Sequence, residues 1–346
     1  MNVHELPLIL FTVLAQMSVG AFVALGVVQV VGRVRFGKAA VDELADPALY
    51  AIGPVLVLGL LASMLHLGNP FNALNTFRHL DSSWLSREIV FGIAFAGLGF
   101  LFAALQFLRW GSTALRQALA ALTAVVGLGL VWVMAMVYAS LPTVPAWNTW
   151  ATPAQFFLTT FLLGALAVGA ALMGVTMWRR QRLGERFGWV TRLAPVRRLV
   201  ALRRDGEPAP DAVDGDQLAA VRSDTDTHAV ARRELVETSL RWVATASILL
   251  LGVQLVVIVL MQRDLAADPG MPVASIAAYG TGWFVARLVL LVLGAGLLGL
   301  TLYRLVVSHR SALLVASVAT TALVTVLASE LIGRSLFYDS MVRIGM

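Results

Sequence analysis

The chain has 346 residues, of which 59% are hydrophobic and only 13% charged, with a formal net charge of +6 and a mean hydropathy of +0.81. An average soluble domain carries about 25% charged residues, so this composition excludes an ordinary water-soluble fold and points to the bilayer. There is no cysteine, which excludes a disulfide framework, a Cys-ligated iron–sulfur cluster and a Cys zinc site in this chain.

A spanning helix takes roughly 20 mostly apolar residues. The first such run, 7–31, does not read as a cleavable signal peptide: it follows Glu5, lacks a basic flank and is too long for a signal core. Further runs follow at 47–67, 87–108, 115–139 and 154–178, then, after a long polar stretch, at 238–262, 280–304 and 311–335. Pro54, Gly164, Gly169, Gly294, Gly296 and Gly299 fall inside them, as is common in membrane helices. No internal repeat is apparent. The expectation is an all-α, polytopic membrane helical bundle of eight transmembrane helices, one integral membrane domain over 1–346 with an insert at 179–237 between helices 5 and 6.

Lys and Arg set the orientation. With the N-terminus outside, nineteen of them lie at inner segments: Arg33, Arg35, Lys38, Arg109, Arg116, Arg304, Arg310 and twelve arginines of the insert. Five lie outside: Arg78, Arg87, Arg263, Arg334 and Arg343. Both termini are therefore expected on the outer, periplasmic side and the insert in the cytoplasm. Arginine clustering at loops is a topology signal here, and no nucleic-acid partner is inferred from it. Within the insert, 187–200 alternates apolar and basic residues as an interfacial helix does, and 205–227 is rich in Asp, Pro and Ala and reads as flexible.

Ionisable residues inside a membrane helix are costly and mark candidate sites. Here they are His66, Glu88, Arg287 and Glu330, joined by the amides Gln16 and Gln254. The topology brings all six to the outer half of the bilayer. Each also has a structural reading: His66 as a helix cap or headgroup residue, Glu88 as a first-turn carboxylate favoured by the helix dipole, Arg287 and Glu330 as an ion pair between helices 7 and 8, and the amides as interhelical hydrogen-bond glue. Taken together they describe one polar site. A His and a Glu at the bilayer edge exchange protons near neutral pH. A quinol, reaching them sideways through the lipid, needs such a proton acceptor and an apolar pocket for its ring. Trp84, Trp147 and Trp150 are placed to line that pocket or to form an ordinary aromatic belt. Of the five histidines only His66 lies clearly at membrane depth, so no haem is expected, and electrons would leave through another subunit.

The sequence resembles the DMSO reductase membrane anchor subunits (DmsC family). The resemblance is carried by His4-Glu-Leu-Pro-Leu-Ile-Leu-Phe-Thr-Val, Ala62-Ser-Met-Leu-His-Leu-Gly-Asn-Pro, Ser86-Arg-Glu-Ile, Thr143-Val-Pro-Ala-Trp, Thr152-Pro-Ala-Gln-Phe-Phe-Leu-Thr, Glu330-Leu-Ile-Gly-Arg-Ser-Leu-Phe-Tyr and the terminal Gly345-Met346. These segments span nearly the whole chain. The resemblance implies an eight-helix anchor of the bacterial inner membrane, without haem. It would oxidise menaquinol and pass electrons to a four-cluster iron–sulfur subunit, which feeds a molybdopterin catalytic subunit in anaerobic respiration. The family's quinol-site histidine falls on His66 and its functional glutamate on Glu88. Arg87 would steer the Glu88 carboxylate or contact the partner; Trp84, Arg287 and Glu330 complete the expected pocket. The long insert departs from the family pattern. An anchor for a polysulfide, thiosulfate or tetrathionate reductase fits the same residues. A transporter fits less well, because transporters place polar sites near the midplane.

Overall fold

The computed structural model describes residues 5–37, 41–50, 53–55, 58, 80–202 and 215–344; over 180–202, 215–226 and at 228 it describes the backbone alone. Among these residues all regular structure is helical. Helix α1 (Leu6–Phe36) carries Pro7 in its first turn, where a missing N–H has no intrahelical partner to lose. A second helix, α2 (residues 41–50), follows. Helices α3 (Trp84–Phe107) and α4 (Thr113–Ala139) each start behind a serine. Ser83 Oγ accepts the Ser86 amide at 3.3 Å and Ser112 Oγ the Leu115 amide at 3.1 Å, satisfying donors that a helix start leaves open. The tight turn between them puts Arg109 (φ 54°) and Gly111 (φ 76°) in the left-handed region.

After α5 (Ala151–Leu202) and α6 (Gly215–Ala267) come the short α7 (Val273–Ala277) and a 3-10 turn, Ala278–Gly280. The next span is built of α8 (Gly282–Leu291), a π-helical stretch Val292–Leu298 and α9 (Gly299–Val307). Helix α10 (Ala312–Asp339) closes the bundle, capped by Ser311.

Among the described residues, seven helices are long and apolar enough to cross a membrane: Leu6–Phe36, Trp84–Phe107, Thr113–Ala139, Ala151–Arg179, Ala229–Ala267, Gly282–Val307 and Ala312–Asp339. The run expected at 47–67 lies mostly outside the described residues, as does His66. The protein is thus a multi-pass helical membrane protein. The insert differs from expectation. Instead of a separate interfacial helix, the backbone of α5 continues unbroken through Leu202, and α6 is already helical from Gly215. Alanine and arginine, the good helix formers most frequent in 217–237, favour helix there.

The bundle is drawn together by close backbone contacts. At the crossing of α1 and α5, a Cβ on Gly164 would come within 2.5 Å of the Ala21 amide nitrogen, so only glycine fits. This is the small-residue packing that lets membrane helices approach. Gly294 plays a similar part in the π stretch: a Cβ there would lie 3.1 Å from the Val326 amide of α10. At the Arg33 end, a network of charges ties α2 to its neighbours. Arg33 meets Asp42 at 2.8 Å, Arg109 meets Asp46 at 2.8 Å, and Arg179 and Arg232 both reach Glu43, at 3.0 and 2.6 Å.

Candidate functional site

The opposite end of the bundle gathers the start of α1, α5 and α8 and the finish of α4, α6 and α10, and here the polar residues collect. Glu330 on α10 is 3% exposed. Its two carboxylate oxygens accept from Thr159 Oγ1 of α5 and Gln254 Nε2 of α6, each at 2.7 Å. One turn on, Arg334 donates to Gln16 Oε1 of α1 at 3.0 Å and lies 3.7 Å from the centre of the Phe156 ring. One α10 face therefore bonds three other helices, and both amides act as the interhelical hydrogen bonds expected of them.

The expected Arg287–Glu330 ion pair does not form. The carboxylate is taken by Thr159 and Gln254, and the Arg287 guanidinium packs over Gly333, where a Cβ would come 2.6 Å from its Cζ. Arg287 is 2% exposed and its Nε has no hydrogen-bond partner among the described residues. It faces a cavity that it shares with Thr152, Gln155, Thr159, Glu330 and Arg334. That cavity measures about 10 Å³, room for a single water and too small for a ring.

Glu88 occupies a different part of the same end. It is 5% exposed and forms no hydrogen bond or ion pair with a described residue. Helix α3 starts at Trp84 instead of Arg87, so Glu88 sits in the second turn, where the helix-dipole attraction has faded. Its charge reaches an aromatic cluster: the Tyr138 and Tyr338 hydroxyls, 3.0 Å apart, both lie within electrostatic range of its carboxylate. Trp147 stacks on Phe337 with 5.1 Å between centroids and donates to the Phe337 carbonyl at 2.7 Å. It is therefore a core residue that holds the end of α10. Trp150 is half-exposed and donates to Asp264.

Arg87 does not turn towards Glu88, since adjacent residues on a helix face different ways. Its guanidinium donates to the Leu80 and Asp81 carbonyls, both at 2.7 Å, and lies 4.3 Å from the Trp84 ring centre. Arg87 and Trp84 thus form a rim that closes the turn before α3. Three participants are not among the candidates that the sequence singles out. Arg334, at the end of the run 311–335, counts only as an outer charge in the topology, but α10 runs to Asp339 and buries it. Tyr138 and Tyr338 sit at helix ends, where tyrosine is ordinarily an interfacial anchor. The aromatic pair at 337–338, with Tyr138 and Trp147 at another helix end, is the one signal of them in the sequence.

A family model described as "DMSO reductase anchor subunit (DmsC)" matches residues 1–202. A chain of the anaerobic dimethyl sulfoxide reductase from Escherichia coli is 35% identical over 223 residues, 64% of this chain and 72% of that one. The chain belongs to the DmsC family. A second E. coli protein, the anaerobic dimethyl sulfoxide reductase chain YnfH, is 32% identical across 49% of this chain and 58% of its own length. A sulfite dehydrogenase subunit of Allochromatium vinosum is 28% identical across 47% of this chain and 53% of its own. No solved structure matches. For this DmsC-family anchor, the matched span takes in His66, Glu88, Trp84 and Arg87, but not Arg287 or Glu330.

Proposed function

We propose that this chain is the membrane anchor and quinol-oxidising subunit of a DMSO-reductase-type molybdoenzyme complex. The observation that carries the reading is Glu88: a carboxyl buried near one end of the bundle, without an ion-pair partner among the described residues and within electrostatic range of two tyrosine hydroxyls. A buried carboxyl with no fixed counter-charge is a proton acceptor held ready. Oxidising a quinol releases two electrons and two protons. His66 would hydrogen-bond one ring oxygen and take its proton; Glu88 would relay protons to the outer aqueous side; Trp84 and Arg87 would form the rim of the pocket. Arg287 and Glu330 would act as its polar neighbours rather than as ring contacts, given the volume around them.

In this reading the protein has eight spans, with 47–67 as the second, and both termini face the periplasm of a bacterial inner membrane. The resemblance favours menaquinol. The two electrons leave to a four-cluster iron–sulfur subunit docked on the outer face and from there to a molybdopterin catalytic subunit, since this chain has no cysteine to hold a cluster. The sulfite dehydrogenase relative supports a second reading, in which the anchor serves another molybdoenzyme. A dehydrogenase draws electrons from its substrate, and the same pocket would then reduce a quinone.

The test replaces His66→Leu and Glu88→Gln in the assembled complex. Quinol-driven turnover should be lost while an artificial soluble donor still drives the catalytic subunit. Unchanged quinol turnover in both variants removes the proposed pocket from the reaction.

A further inference from the structure

The other end of the bundle carries a groove that the quinol reading does not use. It runs between α1 and α4 with α3 as its floor, encloses about 610 Å³, and spans Phe22 to Arg33 on α1 and Thr113 to Ala124 on α4. Eleven residues of helix rise cover about 17 Å, close to the roughly 15 Å depth of one leaflet's hydrocarbon. Its deep half is apolar, lined by Val23, Leu25, Val27, Phe102 and Ala120. Its shallow end is polar and basic. Arg116 stands there with no carboxylate partner among the described residues; its bonds to them are long ones, 3.4 and 3.3 Å, to the Trp110 and Gly111 carbonyls. Gln29 lines the same end, 8% exposed, with an Nε2 that has no hydrogen-bond partner among the described residues. Arg33 offers an Nε in the same condition while its Nη2 holds Asp42.

We infer that this groove holds one anionic glycerophospholipid, with one of its two acyl chains along α1 and α4 and its phosphate at Arg116, Gln29 and Arg33. The shape is one leaflet deep, the body is apolar, and the donors sit only where a headgroup would lie. Arginine suits phosphate because its planar fork bonds two oxygens at once. Basic pockets between membrane helices on the cytoplasmic side take anionic headgroups by the same chemistry. The inference is independent of the quinol pocket, which lies at the far end of the bundle.

The test uses the full-length protein purified in mild detergent, with retained lipid quantified by native mass spectrometry. It is then exposed to nanodiscs of phosphatidylcholine alone or mixed with phosphatidylglycerol. Two variants separate the acyl part from the headgroup. Gly26→Phe fills the groove at a site where a Cβ meets nothing within 4 Å, so it should fold normally. Arg116→Gln removes the cation that no carboxylate holds. The wild type should retain one phospholipid per protein and favour phosphatidylglycerol. Gly26→Phe should lose that lipid at unchanged melting temperature, and Arg116→Gln should keep a lipid but lose about fivefold of the headgroup preference, the share of one arginine at an anionic headgroup. No headgroup preference in the wild type, or full retention in Gly26→Phe, overturns the inference.

Discussion

Gly164→Ala tests whether the polar network depends on helix packing. A Cβ at this position would lie 2.5 Å from the Ala21 amide nitrogen, whereas non-bonded heavy atoms rest at about 3.5 Å or more. The Gly20 Cα and carbonyl carbon lie nearer still, so helices α1 and α5 must part by at least roughly 1 Å. Overpacking of this kind costs about 1–3 kcal/mol. The separation also reaches the site, because α1 carries Gln16 and α5 carries Thr159. Arg334 sits on α10, which packs against α5 more than against α1, so with α10 moving alongside α5 the Gln16–Arg334 bond, 3.0 Å in the structure, would stretch to roughly 4 Å, beyond hydrogen-bond range. An interhelical bond of this sort in a membrane contributes about 0.6 kcal/mol. The summed expectation is a loss of about 2–4 kcal/mol, read by reversible unfolding of the purified protein in mixed micelles. Gly174→Ala is the control, since a Cβ there meets nothing within 4 Å. It should be neutral or slightly stabilising. Equal stability of the two variants would refute the claim that α1 and α5 are held by backbone contact at Gly20 and Gly164.

Glu330→Gln keeps the shape but exchanges two charge-assisted bonds for neutral ones; the expected cost is about 1–3 kcal/mol, seen as a lower melting temperature in detergent. Asp46 lies at the Arg33 end, where burial raises its carboxyl above the ordinary range and outweighs the bonds from Gln106 and Arg109. A group with a raised folded-state pKa supports the fold most below its unfolded pKa and loses that support as pH rises through the folded one. Asp46→Asn should therefore flatten the stability profile just above the usual carboxylate range, measured by melting temperature against pH. Reporter fusions at 205–214 and after Arg343 should report opposite sides of the membrane; the same side for both would sink the proposed topology.

Much of the architecture is legible in hydropathy alone, because a spanning helix must be long and apolar whatever its neighbours. The runs at 7–31, 115–139 and 154–178 all fall within observed helices. Rotation of a helix about its axis is less legible. Charge alone pairs Glu330 with Arg287, yet the carboxylate turns to Thr159 and Gln254, residues whose facing is set only by packing. The π stretch at Val292–Leu298 leaves no mark in the sequence beyond its glycines. Arg334 closes the apolar run 311–335 and counts among the outer charges, whereas the fold buries that charge against Gln16 and Phe156. The insert looks separate from α5 because the polarity changes at Arg179, although the backbone stays helical.

Photoaffinity labelling of the assembled complex with an azido-quinone, followed by peptide mapping, is the sharpest test of the proposed quinol pocket. Labels should fall around Glu88 and around Tyr138 and Tyr338, and should be suppressed by excess unlabelled quinone. Labels confined to the Arg33 end, such as the start of α4 or the end of α9, would contradict the account.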